Sequence, residues 1–283
     1  MKTLITAADL LAASRGTTPP VLLDCSFDLS DPEAGARAWR EAHLPGSLYV
    51  HLDRDLAGAK HDESGRFLGR HPLPARDAFA KRLGEWGIAP ASAVICFDAQ
   101  GGVYASRAWW MLRWMGHADV AVLDGGVAAW RQAGGAMTAD AQSPRAQAPY
   151  PDRAAAMPTI DAAALLSQLG RVPLIDARAG ERFRGEVEPL DKAAGHIPGA
   201  RNRFFKDNLG ADGRFKSAAT LRAEWLPLLA GHEGAQAVQQ CGSGVTACHN
   251  LLALAHAGLG ESILYVGSWS EWSADPARPQ ARG

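Results

Sequence analysis

The sequence predicts an α/β fold built twice, as two tandem domains that each hold a parallel sheet with helices on both faces. Two observations carry this. Short apolar runs alternate with stretches of helical periodicity along the 283 residues, the pattern of strands that return through helices and therefore lie parallel. The two halves also repeat each other in order. Leu22-Leu23-Asp24 recurs as Leu174-Ile175-Asp176, His43-Leu44-Pro45-Gly46-Ser47 as His196-Ile197-Pro198-Gly199-Ala200, and Gly65-Arg66-Phe67 as Gly213-Arg214-Phe215. Leu123-Asp124-Gly125-Gly126 through Trp130 answers Tyr265-Val266-Gly267-Ser268 through Trp272. Repeats a whole domain apart indicate an internal duplication; a solenoid would repeat every 20–50 residues or so.

In the first half, β-branched and apolar runs predict strands at Val21–Asp24, Ser47–His51, Ala93–Phe97 and Val120–Leu123, with helices near Ala7–Arg15, Ala75–Trp86 and Ala105–Met115. The second half gives strands at Pro173–Asp176, Ala237–Gln240 and Ile263–Val266, and helices near Asp161–Leu169, Ala219–Ala230 and Val245–Ala257. Between them, residues 139–158 are rich in Ala, Pro, Gln and Arg with little periodicity, the composition of an exposed linker. The expected organisation is thus an N-terminal domain over 1–138, a linker over 139–158 and a C-terminal domain over 159–283.

Composition narrows the function classes. A formal net charge of -1 with no basic tract gives no electrostatic case for nucleic acid or an anionic membrane surface. Neither a signal-peptide core nor an apolar run long enough to span a bilayer is evident, which favours a cytoplasmic protein. Four cysteines (Cys25, Cys96, Cys241, Cys248) in a chain this long are too few for a disulfide framework, as expected in a reducing compartment.

The stretch with chemistry in it is Gln240-Cys241-Gly242-Ser243-Gly244-Val245-Thr246-Ala247-Cys248. It reads as strand, tight loop, helix. Gly242 and Gly244 let the loop turn its N–H groups inward, and the helix that follows adds roughly half a positive charge pointing the same way. A cysteine at the base of such a cradle is expected to be held as thiolate, its nucleophilic form. Three other readings compete: a buried structural cysteine, a dinucleotide loop, since Gly242, Gly244 and Ala247 fit G-x-G-x-x-A, and a cysteine phosphatase. The dinucleotide loop would follow the wrong strand. The phosphatase loop would need a cation for its dianion, and none lies between Cys241 and Cys248. The first half holds Phe97-Asp98-Ala99-Gln100-Gly101-Gly102-Val103-Tyr104-Ala105 at the corresponding place, about one residue longer, with Asp98 where a cysteine would stand. A carboxylate can accept the same N–H groups but cannot carry sulfur, so one half is expected to be active and the other structural.

The Cys-Gly-Ser-Gly-Val-Thr-Ala loop resembles that of the tandem-domain rhodanese family, in its mercaptopyruvate sulfurtransferase branch, and the resemblance covers nearly the whole chain. It implies two rhodanese-like domains, the first without the nucleophile, and no cofactor or metal. It also implies a sulfurtransferase that moves a sulfane sulfur from 3-mercaptopyruvate through a persulfide on Cys241 to cyanide, a small thiol or thioredoxin. Residue by residue, Ser243, His71 and Asp53 correspond to the groups that handle the proton, Arg182 to the arginine that grips the donor's anionic end, and Gly242, Gly244, Val245 and Thr246 to the rest of the cradle. Taken without the resemblance, His71 is a turn residue, Asp53 an exposed carboxylate and Arg182 a solvated surface residue.

In place of a second substrate arginine, Glu188-Pro189-Leu190-Asp191 puts a leucine, and Arg184 stands nearby as a substitute. Thiosulfate carries two negative charges and mercaptopyruvate one, so a loop without cations predicts mercaptopyruvate as the better donor; thiosulfate is the alternative, and a low-turnover persulfide carrier is a third reading. Cys248 with His249 does not have zinc spacing and reads as core, as do Cys25 and Cys96. Trp109, Trp110 and Trp114 read as helix packing, and Trp269 as a residue that could face the site.

Overall fold

In the computed structural model, which describes residues 2–141 and 143–283, the predicted duplication is visible as two sheets of the same order. Strands β1 (Leu4–Ile5), β2 (Val21–Asp24), β3 (Ser47–Tyr49), β4 (Val94–Phe97) and β5 (Val120–Leu123) form the first, ordered β1-β5-β4-β2-β3. Strands β6 (Thr159–Ile160), β7 (Leu174–Asp176), β8 (Arg201–Asn202), β9 (Val238–Gln240) and β10 (Ile263–Tyr265) form the second, ordered β6-β10-β9-β7-β8. Every pairing within both sheets is parallel. The central strands are buried on both faces, which is why β4 reads Val-Ile-Cys-Phe without alternation.

The helices lie where periodicity placed them, at Ala7–Ser14, Arg76–Glu85 and Ala105–Trp114 in the first half and Ala162–Gln168, Ala218–Leu229 and Thr246–His256 in the second. The first helix of each half starts on a side-chain cap: Thr6 Oγ1 accepts from Asp9 N at 3.1 Å, and Asp161 Oδ1 from Ala164 N at 2.8 Å. Unpredicted elements are short or weakly apolar. They include β1, β6 and β8, each two residues long, and the helices Ala34–Glu41, Gly126–Gln132, Gly180–Arg184 and Ser268–Trp272.

Each sheet has its own core. Leu10, Leu22, Leu44, Ile95, Phe97, Leu123 and Trp130 pack in the first, and Leu165, Leu174, Ile197, Val238, Tyr265, Trp269 and Trp272 in the second. Trp109 and Trp110 are buried on their helix, and Trp114 stacks on Trp110 with ring centroids 6.3 Å apart. Trp269 is fully buried, with Nε1 donating to Ala193 O at 2.9 Å; it is a core residue and faces no open site.

The chain divides into two compact units that do not follow the sequence seam. Unit 1 comprises 1–57, 74–156 and 211–215; unit 2 comprises 58–73, 157–210 and 216–283. Two short segments have therefore changed sides. The stretch read as a linker is exposed along most of its length, and as far as residue 156 it lies with unit 1. Tyr150 is buried there, its hydroxyl 3.0 Å from His117 Nδ1. Met1 of the predicted first domain and Gln142 of the predicted linker fall outside the described residues.

Candidate active site

The second sheet ends β9 at Gln240 and delivers Cys241 at the carboxyl end of a central strand, where open parallel sheets hold their ligands. The loop's peptides are oriented by the segment after β10. Trp269 N donates to Cys241 O at 3.0 Å and Ser270 N to Gly242 O at 2.9 Å, so these carbonyls point away from the sulfur. The following N–H groups point toward it: Ser243 N lies 3.4 Å and Gly244 N 3.1 Å from Cys241 Sγ. Cys241 N is itself held by Ser268 Oγ at 3.1 Å. Ser268 adopts the left-handed region at φ 52°, a cost accepted by few non-glycine residues. Val245 and Thr246 begin the 246–256 helix behind the loop, whose N-terminal end adds positive potential at the same place.

The two loop glycines answer to different constraints. Gly244 has φ +75°, and a Cβ on it would be driven into the carbonyl oxygen of Val266. Gly242 is a matter of close approach: a Cβ would lie 2.7 Å from Arg70 Nη2 and 3.6 Å from both terminal nitrogens of Arg182. Two guanidinium groups thus rest over the loop that contains no cation in its own sequence.

One of them arrives on an exchanged segment. Residues 58–73 belong to the first half in sequence and to unit 2 in space. The segment folds back on itself, with Leu68 N donating to Lys60 O at 2.8 Å and Gly58 N to Pro72 O at 2.9 Å. Its returning limb sits against the segment after β10: Arg70 N donates to Ser270 Oγ at 3.1 Å, and a Cβ on Gly69 would lie 2.9 Å from Gly267 O. The next residue is His71, whose Nδ1 is hydrogen-bonded to Ser243 Oγ at 2.8 Å, both side chains buried.

The structure therefore gathers Cys241, Gly242, Ser243, Gly244, Val245, Thr246, His71 and Arg182 in one unit. Asp53 belongs to unit 1, exposed in the helix Leu52–Asp55. Arg70 was missed by the sequence reading; its one signal is that it precedes His71. Arg184 does not replace the missing arginine, because both of its bonds go to Glu186 on the surface, at 2.7 and 2.9 Å.

The arginines are held by buried carboxylates. Arg182 Nη2 donates to Glu188 Oε1 at 2.6 Å and lies 3.4 Å from Asp191 Oδ2, while Arg70 Nη1 is paired with Asp191 Oδ1. Arg182 Nε is buried with no hydrogen-bond partner among the described residues. Behind them Arg178 grips Asp176 through Nε and Nη2, at 3.1 and 2.7 Å from Oδ2, and reaches Glu188 at 3.3 Å. Burial alone would lower the Arg178 pKa, but Asp176, Glu188 and Cys241 outweigh it and raise it. The Asp191 pKa is also raised, here by burial itself, which Arg70 and Arg182 only partly reverse.

The first sheet shows what the same loop becomes without a thiol. Asp98 follows β4 as Cys241 follows β9, and its fully buried carboxylate accepts from four backbone N–H groups. Gln100 N and Gly102 N reach Oδ1 at 2.8 Å each, and Tyr104 N and Ala105 N reach Oδ2 at 2.8 and 2.9 Å. The cradle is occupied by its own side chain. The remaining cysteines are buried thiols: Cys248 Sγ donates to Gly244 O at 3.3 Å, and burial pushes Cys25 and Cys96 up. No group of three or more metal-ligating side chains occurs among the described residues, and no helix among them is long and apolar enough to cross a membrane.

A doubled parallel α/β fold with a cysteine in an N–H cradle at the end of one central strand defines a class, and comparison with known proteins names it. The Rhodanese-like domain family matches residues 6–133 and again 159–275, and the chain belongs to that family. It is 48% identical, over 99% of its length and 98% of the relative's, to a probable 3-mercaptopyruvate sulfurtransferase of Pseudomonas aeruginosa. It is 40% identical, over 99% and 97%, to a putative thiosulfate sulfurtransferase of Mycobacterium tuberculosis. Among solved structures, the 3-mercaptopyruvate sulfurtransferase from Leishmania major superposes with a TM-score of 0.83 at 29% identity, covering 96% of this chain and 74% of that one.

Proposed function

We propose that the chain is a sulfurtransferase that takes a sulfane sulfur from 3-mercaptopyruvate onto Cys241 and passes it from the persulfide to a thiol or cyanide. The observation that carries this reading is the pair of N–H groups aimed at Cys241 Sγ beside a hydrogen-bonded Ser243–His71 couple. In the first step the Cys241 thiolate attacks the donor's sulfur. An S–S bond forms, the donor's C–S bond breaks, and the electron pair leaves on carbon as the enolate of pyruvate. The proton of the donor's thiol then ends on that carbon, which leaves a persulfide anion and pyruvate and conserves charge. Ser243 and His71 are suited to carry this proton, and the two N–H groups stabilise thiolate and persulfide alike. Asp53 is retained in the proton relay on the family resemblance alone.

Arg182 suits the donor's carboxylate, because its planar fork offers parallel N–H groups and its buried Nε has no partner among the described residues. The other strand of the reading is a non-catalytic N-terminal domain over 1–138, a linker over 139–158 and a catalytic domain over 159–283, acting in the cytoplasm with cyanide, a small thiol or thioredoxin as acceptor. A second reading, thiosulfate as donor, is favoured by the two guanidinium groups over Gly242, which supply in space the cations that the loop sequence lacks. Intact-mass measurement tests the proposal. Addition of mercaptopyruvate should add the mass of one sulfur atom to the wild type and none to Cys241→Ser, and a higher kcat/KM with thiosulfate would reverse the choice of donor.

A further inference from the structure

The two arginines over Gly242 are not simply cations awaiting an anion, since each already holds a carboxylate of the chain. Asp191 joins Arg70 through Oδ1 and faces Arg182 through Oδ2, bridging two side chains that come from segments more than a hundred residues apart. Glu188 meets the same Nη2 of Arg182 as Asp191 does and is fixed in turn, its Oε1 accepting from Leu190 N at 3.1 Å and Asp191 N at 3.2 Å and its Oε2 meeting Arg178. Glu188 and Asp176 are therefore locked with the buried Arg178. Asp191 has no such lock. Arg70 and Asp191 also share the lining of an open depression of about 400 Å³ with His61, Phe67, Leu190 and Lys192, so one side of this ion pair is turned toward an open surface.

Summed over this cluster, Arg70, Arg178 and Arg182 are balanced by Asp176, Glu188 and Asp191. With its carboxylates ionised the surroundings of the Cys241 loop are neutral before any donor enters. An incoming anion must then compete with Asp191 for both Arg70 and Arg182, and the penalty grows with the anion's charge.

We propose that Asp191 is a specificity-determining residue, an internal carboxylate that holds Arg70 and Arg182 and sets the preference for a monoanionic over a dianionic sulfur donor. It deepens the sulfurtransferase reading and rests on it. Loss of the Asp191 charge leaves one uncompensated cation at the site, which favours thiosulfate over mercaptopyruvate because thiosulfate carries the extra negative charge.

The test is kcat/KM for both donors in wild type, Asp191→Asn and Asp191→Glu at low ionic strength. The ratio of the two efficiencies, measured in one preparation, is independent of the fraction of enzyme that is folded. In Asp191→Asn the mercaptopyruvate-to-thiosulfate ratio should fall about tenfold, the size of one unit-charge interaction across several ångströms after partial screening. The fall should appear mainly in KM and shrink as salt is added. Asp191→Glu, which keeps the charge, should stay close to the wild-type ratio. An Asn variant within twofold of the wild-type ratio would overturn this inference and leave the functional reading standing. A wild type that acquires sulfur from neither donor removes the functional reading, and this inference with it.

Discussion

His71 Nδ1 and Ser243 Oγ lie 2.8 Å apart in unit 2, although 172 residues separate them and the duplication seam falls between. The contact joins a histidine from the first half of the sequence to the loop that carries the nucleophile. It gives the serine hydroxyl an imidazole partner, with the direction of the hydrogen bond set by the imidazole's tautomer.

Ser243→Ala should discriminate between donors. Release of pyruvate requires a proton on carbon, whereas release of sulfite from thiosulfate requires none. The expected result is a fall in kcat with mercaptopyruvate of about a hundredfold, within the range for a positioned proton-transfer group, and little change with thiosulfate. His71→Gln should follow the same pattern. Equal losses with both donors in steady-state assays would assign the pair to structure.

The two glycines should respond differently to one added methyl. Gly244→Ala combines φ +75° with a clash against the Val266 carbonyl, neither of which can relax cheaply. It should destabilise unit 2 by about 1–3 kcal/mol and remove sulfur transfer together with the N–H geometry. In Gly242→Ala the obstructing atom is the end of the Arg70 side chain, which can swing aside. Its melting temperature should stay near wild type while KM rises. Thermal unfolding and steady-state kinetics on the two variants make the comparison.

Asp98→Ala should cost stability without touching sulfur chemistry. The substitution leaves four buried N–H groups without their shared acceptor, and the loss should be at least about 3 kcal/mol. Urea unfolding measures it. Persulfide formation on Cys241, scored per folded molecule, should persist.

Asp24 supplies a pH signature. Burial raises its pKa to about 6 from 3.8, against the opposing hydrogen bonds from Ser26. Because the folded pKa is raised, Asp24's favourable contribution is fully present below the unfolded value and is lost as pH rises from about 4 to about 6. Asp98 raises it further and His43 lowers it, and the titratable Tyr49 and Cys25 are coupled to it as well. Asp24→Asn should therefore gain stability relative to wild type across that window, levelling off at about 1–3 kcal/mol near neutrality. A difference between the two proteins that stays flat from pH 4 to 7 in urea titrations would contradict the assignment.

Legibility from sequence tracked how local each signal is. The cysteine loop was readable because two glycines, a preceding strand and a following helix are all adjacent in the chain, and Asp98 was readable by comparison with it. Strands of four residues such as Val21–Asp24 announce themselves by apolar runs, while two-residue strands such as Leu4–Ile5 are too short for any period. His71 needed the family resemblance, since by itself His-Pro-Leu-Pro is a turn. Arg70 and Asp191 were out of reach, because their pairing depends on an exchange of segments that no spacing encodes. Glu188-Pro189-Leu190-Asp191 drew attention to a missing cation, whereas its contribution to the site is two anions. Ser268 gave no sign of its left-handed backbone, which a glycine would have advertised.

The exchange of residues 58–73 bears on how this protein can be dissected. A fragment cut at the seam and beginning near residue 159 would carry the whole thiol loop and its helix, yet it would leave behind both the imidazole and one of the two guanidinium groups. The sequence halves and the spatial units thus differ by short pieces, and the second half cut at the seam keeps Cys241, Ser243 and Arg182 but lacks His71 and Arg70.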